Sequence, residues 1–60
     1  MRRQVGYYVS TGSLSDVARD VIRLLDLADG WEIAGSMFAV WVYGSTEVLY
    51  RQPMIRWINT

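Results

Sequence analysis

The alternation of apolar and polar residues along the chain predicts three β-strands. Residues 5–10 are rich in β-branched and aromatic side chains and stop at a Thr-Gly pair, which is typical of a first strand. Residues 31–43 predict a long second strand, with Gly35 as a bulge or a point of close backbone approach. A turn at residues 44–46 leads into a last strand that covers residues 47 to about 57.

Between the first two strands the apolar spacing becomes that of a helix. Ser13 is suited to cap it, and Asp16 forms a weak capping box with Ser13. From Leu14 onward apolar residues recur at i, i+3, i+4 and i+7, and Gly30 is the expected left-handed residue after the last turn. The prediction is one small α+β domain over residues 1–60, in β-α-β-β order, with one helix on one face of a three-stranded antiparallel-type sheet.

The second predicted strand is apolar on both of its faces. Trp41 and Tyr43 point one way while Phe38 and Val40 point the other, and one helix covers only one face of a sheet. The uncovered face is therefore expected to meet another copy of the chain, a ligand or both. The strand order stays open, although a last strand between the other two suits the short helix-to-strand connection. Pro53 is expected at an edge, at a bulge or where strand pairing changes.

The composition strengthens the expectation of self-association. The chain has 60 residues, 52% of them apolar, with no net charge, no cysteine and no histidine. These values exclude a disordered chain, a disulfide framework and the usual zinc site. A domain this short is marginally stable from its core alone, which leaves a homo-oligomer as the expected remedy. No metal and no cofactor are predicted.

The charges indicate small anions rather than nucleic acid as ligands. All six basic residues are arginine, and four of them lie outside the acidic predicted helix, namely Arg2, Arg3, Arg51 and Arg56. Four arginines are too few for a nucleic-acid polymer but are enough to hold one or two phosphates. The chain shows no signal peptide and no apolar run long enough for a membrane. We expect a soluble cytoplasmic protein that contacts neither membrane nor nucleic-acid polymer.

Catalytic residue types are scarce. Without histidine and cysteine, the commonest general base and the best nucleophile are missing, so we expect no enzyme. Glu32 and Glu47 are the only acids outside the predicted helix, and they keep a cyclic-nucleotide hydrolase as the weakest alternative.

Aromatic residues on the predicted strands are the main functional clue. Tryptophan and tyrosine stack on bases and also dominate protein interfaces, so both a ligand pocket and an interface remain open, and a pocket between subunits would satisfy both. The loop at Ser10 and Thr11 could bind an anion or simply cap the helix. The aromatic set is Tyr7, Tyr8, Trp31, Trp41, Tyr43, Tyr50 and Trp57.

Four motifs follow one another along residues 5–56. They are Tyr7-Tyr8-Val9-Ser10, Ser13-Leu14-Ser15-Asp16, Gly30-Trp31-Glu32-Ile33-Ala34-Gly35 and Tyr50-Arg51-Gln52-Pro53-Met54-Ile55. In this order they resemble a family of very short bacterial and phage proteins of unknown function. Pro53 departs from that pattern, which more often has alanine.

The size, class and surface composition are also similar to those of phage sponge proteins, which neutralise bacterial immunity by sequestering nucleotide signals such as ADP-ribose derivatives. This resemblance implies a non-enzymatic homo-oligomer in the host cytoplasm that holds a nucleotide-derived signal between its subunits. The base would stack on Trp31, Trp41, Tyr43 or Tyr50, the phosphates would bind Arg51 and Arg56, and polar contacts would come from Ser10, Thr11 and Gln52. The alternative is a protein-interaction module with no small-molecule ligand.

Overall fold

The chain forms one helix and four strands, and the computed structural model describes all 60 residues. The elements, in chain order, are β1 (Arg2–Gly12), α1 (Leu14–Asp26), β2 (Trp31–Ile33), β3 (Phe38–Trp41) and β4 (Val48–Asn59). The α+β class and the single helix confirm the prediction from the sequence. The predicted count of three strands is wrong, because the long second strand is divided into β2 and β3.

The last strand, β4, lies in the centre of the antiparallel sheet. It pairs with β1 along almost its whole length, from Arg2 opposite Asn59 to Gly12 opposite Tyr50. Its other edge pairs first with β2 and then with β3, which lie end to end along it. The expectation that the last strand lies between the others is confirmed.

The second strand divides because residues 34–37 oppose only Gln52 and Pro53 of β4. The segment between β2 and β3 therefore has two residues more than the part of β4 opposite it. An even number leaves the alternation of side chains between the two faces unchanged, whereas one extra residue would have moved every later side chain to the other face. Gly35 has a φ of +91° in this segment, so the predicted irregularity is present. The predicted close approach of another backbone segment is absent, since a Cβ on Gly35 would meet no atom within 4 Å.

Pro53 lies where the pairing of β4 changes from β2 to β3, as one of the expectations held. The Ala34 N–H donates to the Pro53 carbonyl at 3.0 Å, so the backbone of Pro53 faces the interruption. The N–H and C=O of one strand residue point to the same side. The donor that proline lacks would therefore have faced the interruption rather than β1, which explains how proline fits in a central strand.

The helix begins as predicted and ends earlier than predicted. The Asp16 backbone N–H donates to Ser13 Oγ at 3.2 Å, which confirms Ser13 as the N-cap. The helix ends at Asp26 with Leu27 as C-cap, and Ala28, at a φ of +52°, takes the left-handed position predicted for Gly30. This helix is neither long enough nor apolar enough to cross a membrane.

The core of the chain is small. Only five of 60 residues are buried, and three of them are apolar: Val17, Leu24 and Met54. Val17 and Leu24 belong to α1, which packs against β1, β2 and β4. The other two, Ser10 and Gln52, are polar and lie on adjacent strands directly opposite each other. The helix therefore covers a single strip of one sheet face.

Candidate functional site

The sheet has one face that no other part of the chain covers. Residues paired across antiparallel strands share a face, and α1 packs on the face that carries Met54 and Gln52. The alternate residues along each strand point to the opposite side of the sheet, and we call that side the open face. It carries Arg2, Gln4, Tyr7, Val9 and Thr11 of β1, Glu32 of β2, Phe38 and Val40 of β3, and Leu49, Arg51, Pro53, Ile55, Trp57 and Asn59 of β4.

The overall dimensions reflect this uncovered face. The chain measures 46 × 18 × 14 Å with a radius of gyration of 13.2 Å, whereas a compact domain of its length has about 10 Å. Its accessible surface is 4438 Å², compared with about 4,000 Å² for a folded monomer of this mass. The isolated chain thus exposes more surface than a self-sufficient domain does.

One charged side chain interrupts the apolar residues that β4 contributes to the open face. Arg51 is the only ionisable residue that β4 contributes to it, and Thr11 and Phe38 lie directly opposite Arg51 on the two neighbouring strands. Arg51 has no carboxylate partner, because the ion pairs of the chain join Arg2 to Glu32, Arg23 to Asp20 and Arg56 to Asp29. The structure thus brings together two residues of the predicted site, Thr11 and Arg51.

Three other predicted site residues already have partners inside the chain. Ser10 is buried and donates to Asp20 at 2.8 Å. Gln52 is buried and donates to the carbonyls of Gly35 and Pro53 at 2.9 and 3.0 Å, which closes the gap between β2 and β3. Arg56 donates to the backbone carbonyl and the carboxylate of Asp29 at 2.8 and 3.0 Å. These side chains brace the fold and are not free for a ligand in this conformation.

The four aromatic residues predicted to stack a base do not converge within one chain. Trp31 lies edge-on to Tyr8, with ring centroids 6.3 Å apart. Trp41 is 72% exposed and Tyr43 is fully exposed, both at the opposite end of the sheet. Trp31 pairs with β4 at Arg56 and Trp41 pairs at Val48, a separation of about 26 Å along the strand. Tyr50 is half-buried on the helix side, opposite Gly12.

A polar network fixes α1 on the sheet. Asp20 accepts hydrogen bonds from Tyr8 Oη at 2.7 Å, from Ser10 Oγ at 2.8 Å and from Arg23 at 2.6 Å. The hydrogen bond from Tyr8, then those from Arg23 and Ser10, lower the pKa of Asp20. The same Tyr8–Asp20 bond, helped by partial burial, raises the pKa of Tyr8. The Asp20 carboxylate thus joins α1 to two residues of β1.

A cleft of about 230 Å³ lies where β2 begins beside the end of β4. The Arg2 guanidinium carbon lies 4.5 Å from the centre of the Trp57 ring, and its Nη2 donates to Glu32 Oε2 at 2.8 Å. Of the predicted site residues only Trp31 lines this cleft. Sequence reasoning missed it because β1 was predicted to begin at residue 5, which leaves Arg2 outside the sheet. The lining residues are Arg2, Gly30, Trp31, Glu32, Trp57, Ile58 and Asn59.

The open face and the cleft adjoin each other, because Arg2, Glu32 and Trp57 belong to both. The fold therefore presents one continuous surface that has an aromatic cleft at one end and an unpaired guanidinium towards the other. Comparison with known proteins assigns no family to it: no protein-family model, no curated protein and no solved structure matches this chain.

Proposed function

We propose that this protein is a non-enzymatic, homo-oligomeric module that sequesters a nucleotide-derived anion between its copies. An ADP-ribose derivative or a cyclic nucleotide is the ligand class, and the bacterial cytoplasm is the place of action, as for a phage inhibitor of immune signalling. One observation carries the proposal. The open face is apolar along most of its central strand, is uncovered by the rest of the chain, and holds the unpaired Arg51 on that strand.

The area of the open face supports a partner that is a second copy. The 12-residue β4 is about 40 Å long, and three strands side by side are about 14 Å wide, so the face measures about 560 Å². Two such faces in contact would bury about 1,100 Å², close to the lower limit for specific interfaces. With no disulfide and five buried residues, covering this face is the available route to further stability.

The unpaired Arg51 supports an anionic ligand. A guanidinium that becomes covered by apolar side chains loses water, and this loss is unfavourable unless an anion replaces the water. Arginine binds phosphate with two parallel hydrogen bonds, and the neighbouring Thr11 hydroxyl offers one more donor. A phosphate at the seam between two copies would satisfy both requirements.

The arrangement of acids supports binding without chemistry. Glu32 pairs with β4 at Ile55, while Glu47 immediately precedes β4, so about 25 Å of strand separates the two carboxylates within one chain. A pair that acts together across a bound water lies within about 10 Å. Glu32 and Glu47, on which the hydrolase alternative depends, therefore do not form such a pair within a single chain.

The experiment combines mass measurement with ligand titration. Light scattering should give a defined oligomer, and calorimetry should detect at least one of ADP-ribose, cyclic ADP-ribose and cyclic dinucleotides. Arg51→Gln should weaken that binding by about tenfold or more, because one charge-assisted contact is lost. Arg3→Gln is the matched control, since Arg3 also lacks an ion pair and pairs with Ile58 far from Arg51.

A second candidate, a protein-interaction module, is favoured by the apolar side chains of the same face, among which Tyr7 is 65% exposed. It predicts a folded oligomer, or a complex with another protein, that binds no member of the ligand panel. Recovery of the bound ligand unchanged after denaturation separates sequestration from hydrolysis.

A further inference from the structure

The cleft beside Trp57 has the parts of a site for a flat heterocycle. Trp57 supplies an indole face, and the Arg2 guanidinium lies over that ring at 4.5 Å. Glu32 holds Arg2 in place through one hydrogen bond of 2.8 Å. Both side chains of this ion pair are about half exposed, at 52% and 53%, so the guanidinium can move away from the ring at little cost.

The Trp57 side chain also has an unmet hydrogen bond. Its Nε1–H is buried and donates to no acceptor in the chain. Buried donors are almost always paired, so an orphaned one indicates a missing acceptor. Trp57 lines the cleft, and its N–H lies in the plane of the indole, so its acceptor is a group at the ring edge, such as a ribose hydroxyl of a nucleoside whose base stacks on the ring face.

The charges of the cleft favour a base over a phosphate. The positive charge of Arg2 is compensated by Glu32, which leaves no net charge to attract an anion. The Glu32 carboxylate can instead accept hydrogen bonds from the amino and imino N–H groups of a nucleobase. Proteins stack unpaired bases on aromatic rings and on arginine guanidinium planes, and this cleft has one of each.

We infer that this cleft is a nucleobase subsite, in which the ring stacks on Trp57 beneath a displaced Arg2 and donates hydrogen bonds to Glu32. This inference rests on the proposed function, because it names the part of the nucleotide that the cleft would hold. Arg51 lies six residues from Trp57 on β4, about 20 Å away, which is beyond the reach from base to phosphate in a mononucleotide. The phosphate contacts of the same ligand therefore come from a second copy.

The test uses the full chain and neutral nucleosides, which have no phosphate for Arg51 to bind. Adenosine, guanosine, cytidine and uridine are titrated into ¹⁵N-labelled protein, and the three indole N–H signals are followed by NMR after assignment with Trp57→Phe. At least one nucleoside should shift the Trp57 indole signal while the Trp41 signal stays in place. Glu32→Gln should weaken that nucleoside about tenfold, and Arg2→Ala should weaken it measurably. Arg3→Ala, a change at the adjacent residue, should have no effect.

The outcomes separate the two proposals. If ADP-ribose or a cyclic nucleotide binds the wild-type chain and binds Glu32→Gln and Arg2→Ala equally well, the cleft is not the base subsite, while sequestration itself stands. If no nucleoside and no nucleotide binds the folded wild-type oligomer, the proposed function fails and the subsite fails with it. A Trp57 signal that moves only with phosphate-bearing ligands would also overturn the subsite.

Discussion

Gly30 and Trp57 are in such close backbone contact that no other residue fits at position 30. The Trp57 N–H donates to the Gly30 carbonyl at 2.8 Å, and a Cβ on residue 30 would lie 2.0 Å from the Trp57 carbonyl oxygen. This contact fixes the start of β2 against β4 and forms one wall of the cleft.

We expect Gly30→Ala to lower the free energy of unfolding by about 3 kcal/mol, since it combines a backbone clash with a positive φ of +92°. Gly35→Ala is the matched control, because Gly35 has nearly the same φ, +91°, but open space around it. In this control only the backbone strain should lower the free energy of unfolding, by about 1 kcal/mol. Urea unfolding of both variants measures the difference, and equal losses would mean that the clash relaxes without cost.

The hydrogen bonds that Asp20 accepts predict a loss of stability in Asp20→Asn. The amide cannot accept from Tyr8, Ser10 and Arg23 as the carboxylate does, and its own N–H groups face these donors. We expect a loss of about 2 kcal/mol, measured by urea unfolding at neutral pH. Asp26→Asn, at the exposed end of the same helix, should change stability by less than about 0.5 kcal/mol.

The same carboxylate predicts how stability depends on pH. The pKa of Asp20 is lowered by its hydrogen bonds, so its contribution is complete above the ordinary Asp range near pH 4 and is lost as the pH falls through its lowered pKa. The pKa of Tyr8 is raised by donation to Asp20, so that contribution is present below about pH 10 and is lost at higher pH. Unfolding free energies from pH 2 to 7 should show a steeper acid loss in the wild type than in Asp20→Asn. Parallel curves would contradict the assignment.

The Gln52 side chain maintains the interruption between β2 and β3, and Pro53 lies beside it. Replacement of Gln52 by leucine removes the donor to the Gly35 carbonyl and to the Pro53 carbonyl, and should cost about 1–3 kcal/mol. Pro53→Ala should change stability by less than about 1 kcal/mol, because the N–H it restores faces Ala34 at the edge of the interruption rather than the continuous pairing with β1. Amide hydrogen exchange of residues 34–37 should rise in Gln52→Leu alone. Faster exchange in both variants would show that proline itself maintains the gap.

Features of the fold that depend on short-range sequence were predicted well. Ser13 and the helical spacing after it place α1 correctly, since a cap and its helix lie within a few residues of each other. The division of the second strand was not predicted, because it depends on Gln52 reaching the Gly35 carbonyl 17 positions away along the chain. The end of the helix was also misplaced, because an alanine at a φ of +52° adopts a conformation that the sequence pattern assigned to glycine.

The candidate site was harder to predict for the same physical reason. Arg56 was expected to hold a phosphate, but Asp29 reaches it only after the turn before β2 brings the two together. Arg2 and Trp57 stand near opposite ends of the chain and meet only because β1 pairs with β4 beyond the bulge at residues 4–6. Thr11 and Arg51 were both predicted as site residues, but their position opposite each other follows only from the register of β1 and β4.

The last prediction concerns the association of two copies of the chain through the open face. Ile55 lies at its centre on β4 between Pro53 and Trp57, and is half-buried within the chain. A charge at this position would have to be desolvated if a second copy covered the face, which is strongly unfavourable. Ile55→Lys should therefore shift the oligomer towards monomer, with a loss of mass by light scattering and of thermal stability that depends on protein concentration.

The matched control for this change is Ile22→Lys on the outer side of α1, where Ile22 is already 59% exposed. It adds the same charge and removes the same side chain, but away from the open face, so the oligomer should be unchanged. Circular dichroism of both variants distinguishes dissociation from unfolding. If Ile55→Lys remains an oligomer of the wild-type mass, the second copy covers some other surface, and the seam at which Arg51 would meet its anion does not exist.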